Sequence, residues 1–407
     1  MSNRAQALKV LKRLRQEGYQ ALFAGGCVRD YLLGRHPKDY DVVTDAVPDQ
    51  IIPLFRKTLK IGARFGVVIV ILEGKQVEVA TFRTESDYQD GRHPEKVEFA
   101  TAKEDALRRD FTINGMFFDP ISRQTLDFVG GREDLQKKII RTIGNPDERF
   151  GEDYLRLLRA VRFAVQLDFD IEEQTWQAVC RHAPKIRQIS PERIAMELEQ
   201  ILTHPNRARG ARLLNDSGLA QTIFTGFEEP CRLFGGKMLR HLPEEVDLSL
   251  ALAAYWAAAP IDKSMEWAKS IRLSNSTIKH IRYLLEHKDV LADAELLLAQ
   301  LKMLMAEPYW EDLVHLRKAL LLSEGQSISP LKTIQKRAAA LKGKILRPKP
   351  LLDGHQLIAL GAVPGPMVGR LARELYIAQL AEEIQTPQQA RRWVQQWLEN
   401  HTESKNE

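Results

Sequence analysis

LFAGGCVRDYLLGRHPKDYDVVTDA, at Leu22–Ala46, is the stretch from which the fold of this chain is inferred. Its apolar start predicts a strand that ends at Gly25-Gly26, after which CVRDYLLG begins a helix and DYDVVTD reads as a second strand. Glycine lets the backbone approach a ligand closely, and the start of the following helix offers free N–H groups to a phosphate. Arg29, one turn into that helix, adds a charge-assisted contact to the same anion. The stretch predicts a strand-to-helix turn that is either merely tight or shaped for a phosphate.

Two carboxylates follow this turn. Asp39 and Asp41 lie one residue apart in a strand-like run, where alternate side chains project to the same face. A fold that keeps two neighbouring carboxylates ionised usually supplies a cation, and Mg²⁺ is typically held by one or two carboxylates together with substrate phosphates. A D-x-D pair alone is more often a solvated strand face, but the adjacent Gly-Gly turn favours a metal site. Glu78, in VEVATF, is either a third carboxylate near the metal or a solvent-facing strand residue.

A second charged cluster, LRRDFTINGMFFD, lies where the helix predicted over Lys103–Arg109 meets an apolar strand. Arg108 and Arg109 suit the charge of a triphosphate, and Asn114 suits a hydrogen bond to a sugar or a side chain. An ordinary ion pair at a helix end leaves the same pattern. The polar segment between the two clusters predicts a mobile loop. Neither G-x-G-x-x-G nor G-x-x-x-x-G-K-[ST] occurs, which excludes a Rossmann site and a P-loop.

The segment GEDYLRLLRAVRFAVQL, Gly151–Leu167, predicts an amphipathic helix with a charged ridge. The ridge residues recur every three positions and are Asp153, Arg156, Arg159 and Arg162. A solvated basic face with an Asp–Arg pair explains the pattern by itself. The functional interpretation is that Asp153 accepts and Arg156 donates hydrogen bonds at the edge of an incoming base. A transferase that selects a nucleotide without a nucleic-acid template needs such groups.

The composition is that of a globular protein with more than one structural unit. The chain has 407 residues, 44% hydrophobic and 28% charged, with a formal net charge of +5. These values exclude a disordered chain, a collagen-like fibre and a disulfide scaffold, and they permit a nucleic-acid partner without requiring one. The cysteines and histidines show no metal-ligand spacing, no apolar run is long enough to span a bilayer, and the charged N-terminal segment does not read as a signal peptide.

Strand and helix signals are segregated along the chain. Strand signals between Tyr19 and Val129 predict a mixed α/β head with a sheet of four to six strands. After Gly144 the helical period prevails, which predicts an all-helical remainder. Its basic segments suit contacts with an RNA backbone, although each of them alone is more often a solvated face.

Strand, Gly-Gly turn, helix and D-x-D strand together resemble the opening motif of the nucleotidyltransferase superfamily shared with DNA polymerase beta. With RRDFTIN and EDYLRLLRAVRF following in order, most of residues 20–230 is similar to the class II tRNA nucleotidyltransferase and bacterial poly(A) polymerase family. The resemblance implies a DNA polymerase beta-like α/β head with a mixed sheet, followed by an elongated all-α region. The implied domains are a catalytic head at 1–145, a nucleotide-selecting neck at 146–217, a helical body at 218–325 and a tRNA-binding tail at 326–407.

The resemblance also implies roles for individual residues. Asp39 and Asp41 would be catalytic and bind Mg²⁺, with possible support from Glu78, while the E-D-x-x-R motif that begins at Glu152 would read ATP and CTP. The implied nucleotide-binding residues are Gly26, Arg29, Arg108, Arg109, Asn114, Asp153, Arg156, Arg159 and Arg162. In the next predicted helix Arg193 and Glu197 are spaced i,i+4, and we expect them to support the pocket from behind.

The implied activity is template-independent addition of CMP and AMP, from CTP and ATP, to the 3′ end of tRNA. It would serve CCA addition or repair and proceed by two-metal phosphoryl transfer with release of pyrophosphate. We expect it in the cytoplasm, without a membrane or a protein partner. An enzyme that adds only A, and a poly(A) polymerase, remain alternatives, whereas the segment Thr84–Phe99 with its Asp90-Gly91-Arg92 argues against an enzyme that adds only CC. A non-catalytic RNA-binding module would not need Asp39 and Asp41, and the long helical region argues against a small-molecule acceptor.

Overall fold

The computed structural model describes residues 2–59, 66–88 and 94–402, without the side chains of 85–88, 94–98 and 402. The chain divides into two compact units, and each consists of two segments: Met1–Leu233 with Glu266–Leu273, and Phe234–Met265 with Ser274–Glu407. Asp90-Gly91-Arg92, on which the argument against CC-only addition rests, lies outside the described residues.

Strands are found in the first unit. In chain order they are β1 (Ala21–Ala24), β2 (Asp41–Thr44), β3 (Thr58–Leu59), β4 (Val67–Leu72), β5 (Lys75–Thr81), β6 (Arg83–Tyr88), β7 (Pro94–Phe99), β8 (Met116–Asp119), β9 (Gln124–Asp127), β10 (Ile139–Ile140) and β11 (Asp170–Ile171). Seven of them form one mixed sheet in the order β3-β4-β5-β2-β1-β8-β9. This is one strand more than the upper end of the prediction. The pattern over Pro48–Thr58 predicts a helix, but only Pro48–Ile51 is α-helical and the two-residue β3 begins at Thr58.

The register of the sheet brings the site carboxylates towards each other. β2 and β5 pair in parallel, with Val42 opposite Val79, while the other pairs in this sheet are antiparallel. Continuing the register by one residue sets Asp41, the first residue of β2, beside Glu78 of β5. A buried cluster that includes Leu22, Phe82 and Phe117 packs in the core of the head. The apolar strands therefore hold both carboxylates at one place on the sheet.

Part of the segment predicted as a loop is a β-hairpin. β6 and β7 form a separate two-stranded antiparallel sheet, in which Arg83 lies opposite Phe99 and Tyr88 opposite Pro94. KVEFA, correctly predicted as a strand, belongs to this hairpin and not to the main sheet. The turn-rich composition predicted a loop. Polar side chains, however, do not prevent two extended segments from pairing their backbone groups.

Helices make up most of the remaining chain. In order they are α1 (Asn3–Gln16), α2 (Gly26–Leu32), α3 (Pro48–Ile51), α4 (Ala102–Leu107), α5 (Gly131–Lys137), α6 (Pro146–Glu152), α7 (Leu155–Leu167), α8 (Glu173–His182), α9 (Pro191–Leu202), α10 (Arg207–Asp216), α11 (Leu219–Ile223), α12 (Glu229–Arg240), α13 (Leu248–Tyr255), α14 (Ile261–Ser270), α15 (Asn275–His287), α16 (Leu298–Met305), α17 (Trp310–Ser323), α18 (Ser329–Ala339), α19 (Gly354–Ala359), α20 (Pro366–Leu380) and α21 (Pro387–Thr402). The prediction of a mixed α/β head followed by helices is confirmed.

The single helix predicted over Gly151–Leu167 is wrong, because α6 ends at Glu152 and α7 begins at Leu155. Asp153 between them is extended, with φ of −151° and ψ of 104°. Its Oδ1 accepts a hydrogen bond from the N–H of Leu155 at 3.0 Å, and its carbonyl accepts one from the N–H of Arg156 at 3.0 Å. An Asp that satisfies free N–H groups in this way starts a new helix instead of continuing the old one.

The second unit is helical throughout its described part. Its C-terminal helices α19, α20 and α21 enclose an apolar cluster with Leu357, Leu371, Val394 and Trp397 among its members. All three cysteines, Cys27, Cys180 and Cys231, are free thiols. Among the described residues of the whole chain, no helix has the length and apolar character needed to cross a membrane.

Candidate nucleotide site

An open cavity of about 580 Å³ in the first unit gathers residues from both sequence clusters and from the neck. The predicted site residues that line it are Gly26, Arg29, Asp41, Glu78, Arg108, Arg109, Asn114, Asp153, Arg156, Arg159, Arg162 and Arg193. Asp39 and Glu152 are not among its lining residues. Eight arginines face four carboxylates in the lining, so the walls carry an excess of positive charge that suits a polyanion such as a triphosphate.

The turn between β1 and α2 depends on Gly25. This residue has φ of 70° and ψ of −134°, a conformation that residues with a Cβ rarely adopt. A Cβ built there would lie 3.2 Å from Nη1 of Arg109, whereas one on Gly26 would meet Arg29 at an ordinary 3.6 Å. The conformational constraint therefore falls on Gly25, which the sequence analysis did not include among the nucleotide-binding residues.

Asp39 and Asp41 differ in secondary structure. β2 begins at Asp41, so the expectation that Asp39 lies inside the strand is wrong; Asp39 precedes it and is exposed. Between them Tyr40 packs its ring edge-on against Phe23, with centroids 5.3 Å apart. Although Asp41 is exposed to the open cavity, partial desolvation by the surrounding protein and the negative charges of Glu78 and Asp39 raise its pKa to about 6, and Arg109 opposes this rise. The charge of Asp39 thus reaches Asp41 even though Asp39 does not line the cavity.

The mutual repulsion of these carboxylates suits a cation. Among the described residues, the only group that brings three metal-ligand atoms within 4.8 Å lies outside this cavity, so Asp39, Asp41 and Glu78 are not drawn together that closely. Mg²⁺ needs only one or two carboxylates when substrate phosphates and water complete its shell. Glu78 and Asp39 repel the charge of Asp41 while Arg109 attracts it, and the pKa of Asp41 is raised on balance, which agrees with a carboxylate that a cation would stabilise. The residues present therefore fit a divalent cation that arrives with a nucleotide.

The pKa of Asp41 has a consequence for stability that can be measured. A carboxyl whose pKa is higher in the folded protein than in the unfolded chain disfavours folding above the unfolded pKa, here 3.8, and fully so above about 6. Without metal, we expect Asp41→Asn to raise the melting temperature by about 1–2 °C at pH 7.5 and to leave it unchanged near pH 4. Thermal melts in EDTA test this. With Mg²⁺ and ATP added together at pH 7.5 the order of the two melting temperatures should reverse, and an unchanged order would contradict a cation at Asp41.

The arginines of the second cluster share one buried carboxylate that the sequence analysis overlooked. Asp105, with a side chain only 1% exposed, accepts from Nε of Arg108 at 2.8 Å and from Nη2 of Arg109 at 2.9 Å. Burial alone would raise the pKa of Asp105, but the charges of Arg109 and Arg108 outweigh it and lower the pKa. The i,i+3 and i,i+4 spacing in DALRR was the available signal. Asp105 fixes both guanidinium groups at the cavity wall.

We expect Asp105→Asn to loosen both arginines. The free energy of unfolding should fall by about 2–4 kcal/mol, because two partly buried guanidinium groups lose their anion. The KM for the nucleotide should rise about tenfold while kcat changes less, because the substitution disturbs nucleotide positioning but leaves the carboxylates of Asp41 and Glu78 in place. Urea unfolding and steady-state kinetics measure the two effects. Lys103→Ala, at an exposed position of the same helix, is the matched control and should change neither.

A chain of hydrogen bonds connects the turn, the second cluster and the neck. Nη1 of Arg29 donates to Oδ1 of Asn114 at 2.8 Å, and Nδ2 of Asn114 donates to Oδ1 of Asp110 at 3.2 Å. Oδ2 of Asp110 accepts from Nε and Nη2 of Arg159 at 2.9 and 2.5 Å. Burial would raise the pKa of Asp110, but Arg159 holds it at about 2. Asn114 thus orients side chains, which is one of the two roles that the sequence left open.

Phe163 is a second residue whose contribution was missed, because it reads as an ordinary core anchor of α7. The guanidinium carbons of Arg162, Arg29 and Arg159 lie 4.2, 5.3 and 5.3 Å from its ring centroid. Arginines at these distances are attracted to the electron-rich face of an aromatic ring. Arg162 also donates through Nε to Oε2 of Glu197 at 2.7 Å. The ring and the carboxylate together keep three cations beside one another.

The base-reading candidates are each already paired. Asp153 pairs with Nη2 of Arg193 at 2.7 Å. The i,i+3 pair with Arg156 belonged to the alternative interpretation, a solvated basic face, and it is not found among the described residues. Arg156 donates through Nη1 to Oε2 of Glu152 at 2.5 Å and to the carbonyl of Arg149 at 2.7 Å. Arg193, expected to act from behind the pocket, lines the cavity. The sequence could not foresee this exchange of partners because α9 is distant from Asp153 along the chain.

Comparisons with known proteins agree with this architecture. The family described as Poly A polymerase head domain matches residues 21–141, and the probable RNA and SrmB-binding site of polymerase A matches residues 168–230. A CCA-adding enzyme of Geobacillus thermodenitrificans is 44% identical over 225 residues, which are 55% of each chain. The chain thus matches about half the length of this and similar curated relatives.

Two further comparisons extend over nearly the whole chain. The crystal structure of the Bacillus stearothermophilus CCA-adding enzyme in complex with CTP has a TM-score of 0.80 and 29% identity, with 100% of both chains covered. A CCA-adding enzyme of Lactobacillus johnsonii is 34% identical over 377 residues, which cover 91% of both chains. The predicted fold and family are confirmed, and the chain belongs to the family of CCA-adding enzymes, within the nucleotidyltransferases.

Proposed function

We propose that the protein adds CMP and AMP, taken from CTP and ATP, to the 3′ end of tRNA and releases pyrophosphate. The observation that carries this proposal is the one cavity in which Asp41 and Glu78 face a wall of arginines next to the Gly25-Gly26 turn. Such a cavity suits a triphosphate and a divalent cation together. The activity of the named relatives supports CCA addition over addition of A alone or poly(A) synthesis.

We assign Mg²⁺ to Asp39 and Asp41, with Glu78 in support. When bound, Mg²⁺ supplies charge neutralisation at the reacting phosphate and activation of the attacking hydroxyl. Arg108 and Arg109 hold the triphosphate while Asp105 fixes their direction. In-line attack of the terminal RNA hydroxyl on the α-phosphate then expels pyrophosphate, and the protein contributes mainly position and charge.

Base selection is assigned to the neck. Asp153 accepts and Arg156 donates at the edge of the incoming base, and both line the cavity. To bind the base, Asp153 gives up its contact with Arg193, and Arg156 gives up its contact with Glu152. A base that does not match leaves a buried charged group without its hydrogen bonds, which is the basis for rejecting it. Arg29, Arg159 and Arg162 complete the nucleotide contacts.

We assign tRNA binding beyond its 3′ end to the helical regions at 218–325 and 326–407, and nucleotide selection to the neck at 146–217. Basic helices such as α15 and α18 suit a phosphate backbone, because each Lys or Arg that neutralises a phosphate releases a counterion. The site of action that we propose for a tRNA-processing enzyme of this family is the cytoplasm.

A single assay tests the proposal. The full chain is incubated with Mg²⁺, labelled CTP or ATP, and tRNA transcripts that end before C74, C75 or A76. We expect CMP to be added to the first two and AMP to the last, after which extension stops. Addition of AMP only to the third substrate would indicate an A-adding enzyme, and a long A tract would indicate a poly(A) polymerase. Failure to extend any RNA would overturn the assignment altogether.

A further inference from the structure

A second cluster of ligand-type side chains lies in the second unit. Asp247 caps the N-terminus of α13, His280 lies on α15, and Asp312 lies in the first turn of α17. One ligand atom from each residue lies within 4.8 Å of those from the other two. We propose that this cluster binds one divalent transition-metal ion, with Zn²⁺ as its preferred occupant.

The imidazole of His280 is the observation that points to a ligand. The residue is 8% exposed, and its Nε2 is buried without a hydrogen bond. Tyr309 stacks on the ring, with centroids 4.1 Å apart and planes 17° apart, and so holds its orientation. A buried ring nitrogen without a hydrogen bond costs free energy, because water solvates that atom in the unfolded chain. A metal ion bound at Nε2 would supply the missing interaction.

The carboxylate of Asp312 lies nearest to Nε2 of His280, and its position suits a shared metal ion better than a hydrogen bond. Oδ2 of Asp312 lies 3.1 Å from Nε2 of His280, yet the two atoms form no hydrogen bond. A hydrogen bond needs the oxygen close to the N–H direction. Two ligands of one tetrahedral Zn²⁺ instead lie roughly 3.3 Å apart, to either side of the metal. The observed separation and the missing hydrogen bond both agree with the second arrangement.

Asp247 has one oxygen committed and one available. Its Oδ1 accepts from the N–H of Leu250 at 2.8 Å, which fixes the side chain at the helix start. Its Oδ2 lies 3.6 Å from Nδ1 of His280, whereas Asp312 lies beside Nε2. To bind the same ion at Nε2, the Asp247 side chain has to turn towards that side of the ring, and its 55% exposure leaves it free to do so. Asp312 is 31% exposed, so water can reach the cluster and complete the coordination.

The ligand set indicates the kind of ion. One imidazole and two carboxylates combine the nitrogen that Zn²⁺ favours with oxygens that it accepts, whereas Mg²⁺ and Ca²⁺ prefer oxygen ligands throughout. Because α13, α15 and α17 each contribute one ligand, the bound ion would join three helices of the unit. The expected consequence is stabilisation of the second unit, separate from the chemistry at Asp41.

The test uses the full chain with Asp39→Asn and Asp41→Asn, so that the proposed catalytic site cannot supply Zn²⁺ binding. After metal is stripped, Zn²⁺ or Mg²⁺ is titrated calorimetrically, bound metal is counted by mass spectrometry, and melting temperature is recorded. We expect one Zn²⁺ per chain, a melting temperature that rises with Zn²⁺, and no such response to Mg²⁺. Asp247→Asn keeps an acceptor for the N–H of Leu250 but removes the charge, so it should weaken Zn²⁺ binding at least about tenfold without changing the metal-free melting temperature.

His315→Ala, on α17 but outside the cluster, is the matched control and should bind Zn²⁺ normally. The absence of Zn²⁺ binding, or binding that Asp247→Asn and His280→Ala both leave unchanged, would overturn the proposal. His280 would then be a buried imidazole between two carboxylates and nothing more. These readouts do not involve nucleotide addition, so they stand apart from the proposed function.

Discussion

We expect Asp41→Ala to abolish nucleotide addition while tRNA binding persists, which is the largest effect that we expect from a single substitution. The carboxylate heads β2, faces Glu78 and lies beside the arginines of the cavity. Without it the cation loses a fixed ligand, and the reacting phosphate loses several kcal/mol of transition-state stabilisation. The rate of addition should therefore fall roughly a thousandfold or more. Single-turnover assays measure the rate, and filter binding measures the affinity for tRNA.

The appropriate control is Asp49→Ala, an exposed aspartate in α3 of the same head, which should retain full activity. If Asp41→Ala still extended tRNA at a comparable rate, the assignment of the metal to this carboxylate would be wrong. If it lost tRNA binding as well, the substitution would have damaged the fold, and the circular dichroism spectrum would show it.

The second large effect concerns the choice of base. We expect Arg156→Ala to reduce the preference for CTP and ATP over UTP and GTP by roughly a hundredfold, with a smaller change in triphosphate affinity. Its guanidinium lies at the cavity wall, 10% exposed, and Glu152 orients it. Removing it deletes donors at the base edge while Arg108 and Arg109 still hold the phosphates. Competition among the four nucleotides on one tRNA acceptor measures this preference.

Arg156→Lys separates charge from geometry, because lysine keeps the positive charge but lacks the planar pair of donors. It should lose most of the preference that alanine loses. The control is Arg13→Ala, which removes an arginine on α1 that does not line the cavity. This variant should keep the normal preference for CTP and ATP over UTP and GTP. Unchanged discrimination in Arg156→Ala would remove the base-reading role.

The fold was predictable where one local rule decided the outcome. The sequence predicts helices over Asn275–His287 and Pro191–Leu202, and α15 and α9 have these bounds, since Ser274 and the Pro at 191 mark clear helix starts. The break at Asp153 was not predicted, because the helical period continues across it while its side chain bonds the start of the next helix. The β6–β7 hairpin was not predicted, because its polar composition is typical of a loop.

The sequence predicted most of the charged residues that line the cavity, but not the ion pairs that they form. The pair of Arg193 with Asp153 could not be predicted from motif spacing, and the pairs of Asp105 with Arg108 and Arg109 were overlooked although their spacing is local. Pairings between α7 and α9 depend on tertiary packing, which local sequence does not encode. The cluster at Asp247, His280 and Asp312 was not predicted from the sequence for the same reason, since three separate helices contribute to it.

Every arginine predicted for the cavity already has a carboxylate partner, Asp30, Asp105, Asp110, Glu152, Asp153 or Glu197. Because these seven arginines share six carboxylates, the cavity wall keeps a net positive charge even though each guanidinium group has a partner. A nucleotide gains only the difference between the contacts it makes and those it displaces. In the proposed reaction the same competition would apply to pyrophosphate, because the carboxylates would pair with these arginines again as it leaves. Ion pairing within the protein would therefore favour release of the product.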